Sequence, residues 1–292
     1  MTRTLAALSL GLLFGTACAA APKNVEARET AAPVEPAPDL GSEPIAAVDG
    51  FDHSYAGWDG ILRSQVNSKG MVNYAALKAS PGELASFVAS VGSVSAEDVG
   101  SWSRDQQVAF YINAYNALTF QAIVDAYPTK SIRDIQPDAW ENSRWMVAGR
   151  TVSLNWIEHS KLRGHFGEMR VHFVLVCAAK GCPRLPDRAI QPGGLSAQLN
   201  AAEKAFFADP SKNRVDAAGG KVYLSRILEW YGDDFVGWKG TPAEPALEGR
   251  PAKEAAAIQM LSKYVSDADN AFLAKNTFTV VLNDYDWALN AQ

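Results

Sequence analysis

The chain has 292 residues, with 27 Lys and Arg against 32 Asp and Glu, giving a net charge of −5. That balance, with no basic stripe along the chain, argues against a phosphate-backbone partner, so nucleic-acid binding is not expected. No nucleotide, haem or flavin fingerprint is present, and no cofactor is expected.

Residues 1–20 (MTRTLAALSLGLLFGTACAA) open with one basic residue, Arg3, continue with an apolar run over 5–14, and end in small residues. This is the three-part layout of a secretory signal, too short and too poorly flanked for a lasting transmembrane span. Gly15, Thr16 and Ala17 supply the small residues that lipoprotein processing requires before Cys18, although Gly15 stands where a leucine is usual. The expectation is a signal peptide over 1–18, lipidation at Cys18, and a membrane anchor in the cell envelope facing the periplasm. A competing reading takes Ala17, Cys18 and Ala19 as an A-x-A-like cleavage site that releases a soluble secreted protein. Residues 19–49 are crowded with Ala, Pro and Glu, hold no aromatic residue and show no period. Such a segment buries too little apolar surface to offset its chain entropy, and a disordered tether is expected.

Residues 50–292 contain all four histidines and nearly all the aromatic residues, and no second Pro-rich or charged break divides them. One globular domain is expected. In chain order, the patterning predicts an amphipathic helix over 51–66, a turn at 68–70 and a short strand at 71–74. A long helix over 104–126 follows, capped by Ser103, with Val108, Ile112, Tyr115, Leu118 and Ile123 at helical spacing. A helix over 154–162 starts near Ser153 and stops at Gly164. Residues 171–178 (VHFVLVCA) read as a strand buried on both faces. A helix over 193–209, a strand at 221–224, a helix from Ser225 through Trp230 and a strand at 278–282 complete the list. Helices and strands mix without a βαβ repeat, which makes the class α+β.

Candidate chemistry lies between residues 158 and 182. A thiol nucleophile needs a nearby base or positive charge to lower its pKa from about 8.5, and a group that orients the base. Cys182, His172 and Glu158 can fill the three roles, with His159 as the rival base. On an extended strand Cys177 faces away from His172 and reads as core, and the strand would end about 16 Å beyond His172. His172 and Cys182 then meet only if the loop doubles back at Gly181. Several plainer readings compete. His172 can be an ordinary core histidine, Glu158 can pair with Lys161, and Cys177 and Cys182 can form a small disulfide loop in an oxidising compartment. Zinc is disfavoured because H-x4-C-x4-C is not a standard spacing and a fourth ligand is not evident, so no metal is expected.

Five strings, FYINAYNALT (110–119), LNWIEHSKLR (154–163), VHFVLVCAAKGCPRL (171–185), LSRILEWYGDDF (224–235) and NDYDWALN (283–290), come in the order of the signature blocks of a bacterial family, domain of unknown function 547. The chain resembles that family over most of 51–292. The resemblance implies a site among Asn113, Asn116, Glu158, His159, Arg163, His172 and Cys182, all of which stand in those blocks. It also implies a likeness to papain-like and transglutaminase-like cysteine enzymes, with plant-type relatives lacking the cysteine.

Three functions follow as expectations. The first is a cysteine-dependent hydrolase or acyl transferase acting on amide bonds of a peptide or other envelope substrate. Cys182 would be its nucleophile, His172 its base, Glu158 the orienting acid and Asn113 an oxyanion or amide-orienting donor. The second is a non-catalytic envelope module that binds a peptide, glycan or protein in the same cleft, for which Trp140, Trp145, Trp156, Trp230, Tyr231 and Trp287 would suit. A redox role for Cys177 and Cys182 is third, because C-x4-C is not the C-x-x-C of thiol oxidoreductases.

Overall fold

A computed structural model describes residues 50–292; the signal peptide expected over 1–18, the lipidation expected at Cys18 and the tether expected over 19–49 lie outside the described residues. The first half is helical: α1 (Ala56–Gln65), α2 (Tyr74–Ala79), α3 (Gly82–Ser93), α4 (Ala96–Ser101) and α5 (Arg104–Ala126). The predicted start of α5 holds, because Ser103 and Gln106 form a reciprocal capping box. The helix is less amphipathic than its spacing implied. Every residue from Val108 to Phe120 is buried, so α5 is a central helix wrapped on all sides by α2, α3 and the segments that follow.

The hairpin β1 (Trp145–Val147) and β2 (Arg150–Val152) packs against α3, and its turn residues Ala148 and Gly149 both have positive φ, as a primed two-residue turn requires. A π-helix (Trp156–His165) and a 3-10 turn (Met169–Phe173) come next, then α6 (Leu195–Ala208). A three-stranded sheet pairs β3 (Arg214–Asp216) with β4 (Lys221–Leu224) in antiparallel fashion and β4 with β5 (Thr279–Leu282) in parallel. Between β4 and β5 run α7 (Arg226–Trp230), α8 (Gly232–Phe235), α9 (Ala252–Ser262) and α10 (Asp267–Leu273). The described residues make a single α+β domain, as the sequence led us to expect. Among them no helix is long and apolar enough to cross a membrane.

Three expected elements are corrected. Residues 71–74 contribute only a bridge at Val72, and Tyr74 already opens α2. The helix at 154–162 is widened into a π-helix that runs on to His165. Residues 171–178 are not a strand. Only their first turn is regular, and the backbone beyond it is held by the side-chain amide of Asn116, described below.

The buried apolar residues fall into two clusters. One surrounds α5 and includes Leu162, Val171, Val174, Leu195 and Leu199. The other lies beneath the three-stranded sheet and α9 and includes Phe173, Phe206, Phe207, Phe235 and Leu261. The 3-10 turn and α6 contribute to both, so the segment that carries His172 runs along the seam.

Candidate functional site

Four stretches meet at that seam. The π-helix brings Glu158, His159 and Arg163 to one side, and residues i+4 and i+5 fall close together on such a widened turn. Gly164 makes the widening sterically possible, since a Cβ there would lie 2.9 Å from the His159 carbonyl oxygen. Single π turns inside helices are frequent at functional sites. The 3-10 turn brings His172, whose side chain is 2% exposed. Helices α7 and α8 supply Tyr231 at their junction and Asp234.

Asp234 is the hub. Arg163 donates to it through Nε at 2.6 Å and Nη2 at 2.8 Å, a two-pronged pair, and His172 Nε2 stands 2.6 Å from its Oδ2. A carboxylate only accepts, so Nε2 carries the proton. His172 Nδ1 then faces Glu158 Oε1 at 4.0 Å, too far for a hydrogen bond. Tyr115 donates to the other oxygen of Glu158 at 3.1 Å, and Tyr231 stacks on the His172 ring at 4.0 Å between centroids. His159 Nδ1 accepts from Arg163 Nη1, because a guanidinium has only donors.

The titration behaviour follows this wiring. Burial pushes the Asp234 carboxyl up, but the hydrogen bonds from His172 and Arg163 outweigh it and hold the group well below its ordinary value. Burial lowers His159, and the neighbouring Arg163 guanidinium adds to that against the pull of the Glu158 carboxylate. Tyr231 and Tyr285 are both pushed up, first by burial and then by the Glu158 carboxylate. Several strongly shifted groups around one histidine are the electrostatic mark of a functional site, although structural ion networks also produce it.

Cys177 and Cys182 form a disulfide, with Cα atoms 6.2 Å apart. This corrects the reading of Cys177 as core: it is half-buried, and the distance argument built on an extended strand falls with the strand. Positive φ at Ala178 turns the chain back at once. The Tyr285 hydroxyl lies 2.9 Å from Cys177 Sγ and 3.4 Å from Cys182 Sγ. Gly181 lets the Tyr285 ring lie flat on the loop, since a Cβ there would be 2.9 Å from three of its ring carbons.

The structure therefore gathers Glu158, His159 and His172 and places Cys182 in a disulfide against Tyr285. Asn113 and Asn116 do other work. Asn113 donates to the Ile190 carbonyl at 2.7 Å and accepts from the Ile190 N–H at 3.0 Å. Asn116 does the same across Val174 O (3.0 Å) and Val176 N (2.8 Å). Both ends of each amide are thus engaged by irregular backbone, and Asn113, expected as an oxyanion donor, is buried and clamps the backbone at Ile190. Sequence reasoning missed Asp234, Tyr115 and Tyr285. The string WYGDDF held the signal, as an aromatic and two acids within one turn of helix.

The family model described as "Protein of unknown function, DUF547" matches residues 99–207. Over that stretch the chain is similar to the DUF547 family. The matched stretch runs from the end of α4 to α6 and contains Asn113, Asn116, Glu158, His159, Arg163, His172, Cys177 and Cys182. Tyr231, Asp234 and Tyr285 come from beyond it, so the DUF547 stretch holds His172 while the following helices hold the acid bonded to it. No curated protein and no solved structure matches the chain.

Proposed function

We propose that the protein is a cysteine-dependent hydrolase or acyl transferase acting on amide bonds, exported and anchored in the cell envelope through Cys18. The observation that carries the reading is the pairing of His172 with Asp234. A buried carboxylate fixes Nε2 as the protonated nitrogen and leaves Nδ1 as the basic one, the relation that orients a general base. Asp234 takes the orienting role first given to Glu158. Glu158, held by Tyr115 on the far side of Nδ1, becomes the acid that relays the proton.

The disulfide is the resting state of the nucleophile. A dithiol donor reduces it: two hydrogens pass to the Cys177 and Cys182 sulfurs, and the donor leaves as its own disulfide. Cys182 gives its thiol proton to His172 and attacks the amide carbon, the C–N bond breaks as the amine departs with that proton, and water or a second amine then attacks the thioester and releases the Cys182 thiol. Tyr231 covers His172 in the closed site and has to swing aside for this step.

Labelling decides the matter. After reduction of the folded protein, iodoacetamide should modify Cys182 rapidly, and His172→Gln should slow that reaction about tenfold or more. Absence of Cys182 labelling in the reduced protein, or a rate indifferent to His172, would overturn the reading. The anchor has its own check in the mass of the mature N-terminus, which a lipid at Cys18 raises.

A further inference from the structure

Beside the disulfide, four aromatic side chains from three separate parts of the chain meet at the surface. Trp230 ends α7, Tyr285 and Trp287 follow β5, and Trp140 lies in the loop ahead of β1. Trp230 and Trp287 are nearly parallel, at 24° and 5.8 Å between ring centroids. Tyr285 lies 4.8 Å from Trp230 and 4.7 Å from Trp287, and Trp140 extends the row at 6.2 Å. Trp230 is 38% exposed, one of few large apolar side chains so open to water among the described residues. Neither Trp230 nor Trp287 belongs to either buried cluster. Trp230 is open to water and Trp287 lies half-buried beside it, and exposed aromatic patches of this kind mark binding surfaces.

What flanks the row identifies the ligand. Under Tyr285 opens a depression of about 180 Å³. Among its lining groups are Lys180, Ser211, Arg226, Asn283, Asp284 and Asp286, which mix donors and acceptors, charges of both signs and a hydroxyl. It is too small for a drug-sized ligand. Flat aromatic faces bordered by closely spaced polar groups of both kinds match a molecule whose rings have apolar C–H faces and hydroxyl-studded edges. A peptide would call for an apolar side-chain pocket or a free strand edge beside the rings. A lone cation would meet Arg133, which already stands over Trp287 at 5.0 Å.

We infer that the Trp140–Trp287–Trp230–Tyr285 row and the depression beneath Tyr285 bind a saccharide chain, with rings stacked along the indoles and one terminal ring seated against Asp284 and Asp286. The row borders the proposed catalytic residues, since Trp230 precedes Tyr231, which stacks on His172, and the Tyr285 hydroxyl lies 3.4 Å from the Cys182 sulfur, but saccharide binding there requires no thiol chemistry. Its position beside the loop of Cys182 would deliver a glycan-bearing substrate to that residue.

The test uses the full chain and two defined probes, chitotetraose and cellotetraose, followed by tryptophan fluorescence and calorimetry. At least one should bind saturably with a Kd of about 1 mM or tighter, and Trp230→Ala and Trp287→Ala should each weaken it about tenfold. Val236→Ala, at an exposed apolar residue outside the row, should bind as the parent does, which shows that the loss is specific to the row. Far-UV circular dichroism of the two Trp variants establishes that they are folded, and Trp230→Phe should recover part of the affinity. The inference is overturned if neither probe binds, if the folded Trp variants bind undiminished, or if a tetra-alanine peptide displaces the sugar.

Discussion

At His172 the decisive question is which nitrogen holds the proton, and Asp234 answers it. Replacing that carboxylate with the isosteric Asp234→Asn keeps the volume but removes the charge that pairs with Arg163 and fixes Nε2–H. Both partners are largely buried, so the loss at pH 7 should be about 2–4 kcal/mol in a urea titration. The pH dependence carries a second signature. Asp234 titrates below its ordinary value of 3.8. Its stabilisation is therefore fully present above that unfolded value and is lost as pH falls through the lower folded one. His159 acts on the same side by a different route. Because its folded value lies below the ordinary imidazole value of 6.5, the folded state resists its protonation, and stability declines as pH drops through that unfolded value. The parent should thus lose stability in two stages on acidification, and Asp234→Asn should keep the first stage and lose the second. A variant whose urea midpoint below pH 4 (about the unfolded carboxyl range) falls as steeply as the parent's would show that another carboxylate carries the acid limb.

Among the elements, the π-helix makes a prediction whose sign runs against the usual rule. Gly164 is exposed within a helix, where a change to Ala ordinarily gains about 0.5–1 kcal/mol. Here the added methyl would meet the His159 carbonyl oxygen at 2.9 Å, a backbone atom that cannot swing away. Gly164→Ala should cost about 1–3 kcal/mol by thermal melting and shift the imidazole resonances of His159. A gain in stability, with those resonances unmoved, would mean that the widened turn is not required there. The same element shows where sequence patterning stops. Apolar spacing placed a helix at 154–162, but whether a turn holds four residues or five depends on contacts made by Glu158, His159 and Arg163 with other segments. For residues 171–178 the composition favoured a strand on sound grounds, yet no neighbouring strand pairs with it. Asn116 bonds both to Val174 and to Val176 and satisfies in one side chain what a ladder would have satisfied. Residues Asn113 and Asn116 were legible as a polar pair at i, i+3 on an apolar helix. Their task was not, because the backbone they clamp lies some 58 to 77 residues further along the chain.

In the whole molecule, the site exists because two cores share one segment. The 3-10 turn places Val171 in the α5 cluster and Phe173 in the sheet cluster, and His172 points between them toward Asp234. Helix α6 spans the same seam with Leu199 on one side and Phe206 on the other. Ring-to-ring contacts of Phe173 with Phe206 at 4.9 Å, Phe207 at 5.5 Å and Phe235 at 5.9 Å anchor the 3-10 turn in the sheet cluster, while Val171 two residues earlier anchors it in the α5 cluster. Length and the absence of an internal linker already implied one domain, but not that its centre of chemistry would sit where two cores join. If the cores fold as one unit, far-UV and near-UV melts of the parent should coincide. Phe173→Ala should then lower the whole transition, costing about 3–5 kcal/mol for a buried ring. The decisive outcome is its shape. A single transition displaced to lower temperature supports one cooperative unit, whereas an early loss of the sheet cluster followed by an unshifted melt of the α5 cluster would show that the two cores unfold separately. In that case the pairing of His172 with Asp234 would rest on α8 packing, and the Phe173→Ala protein would lose it well before its helical signal.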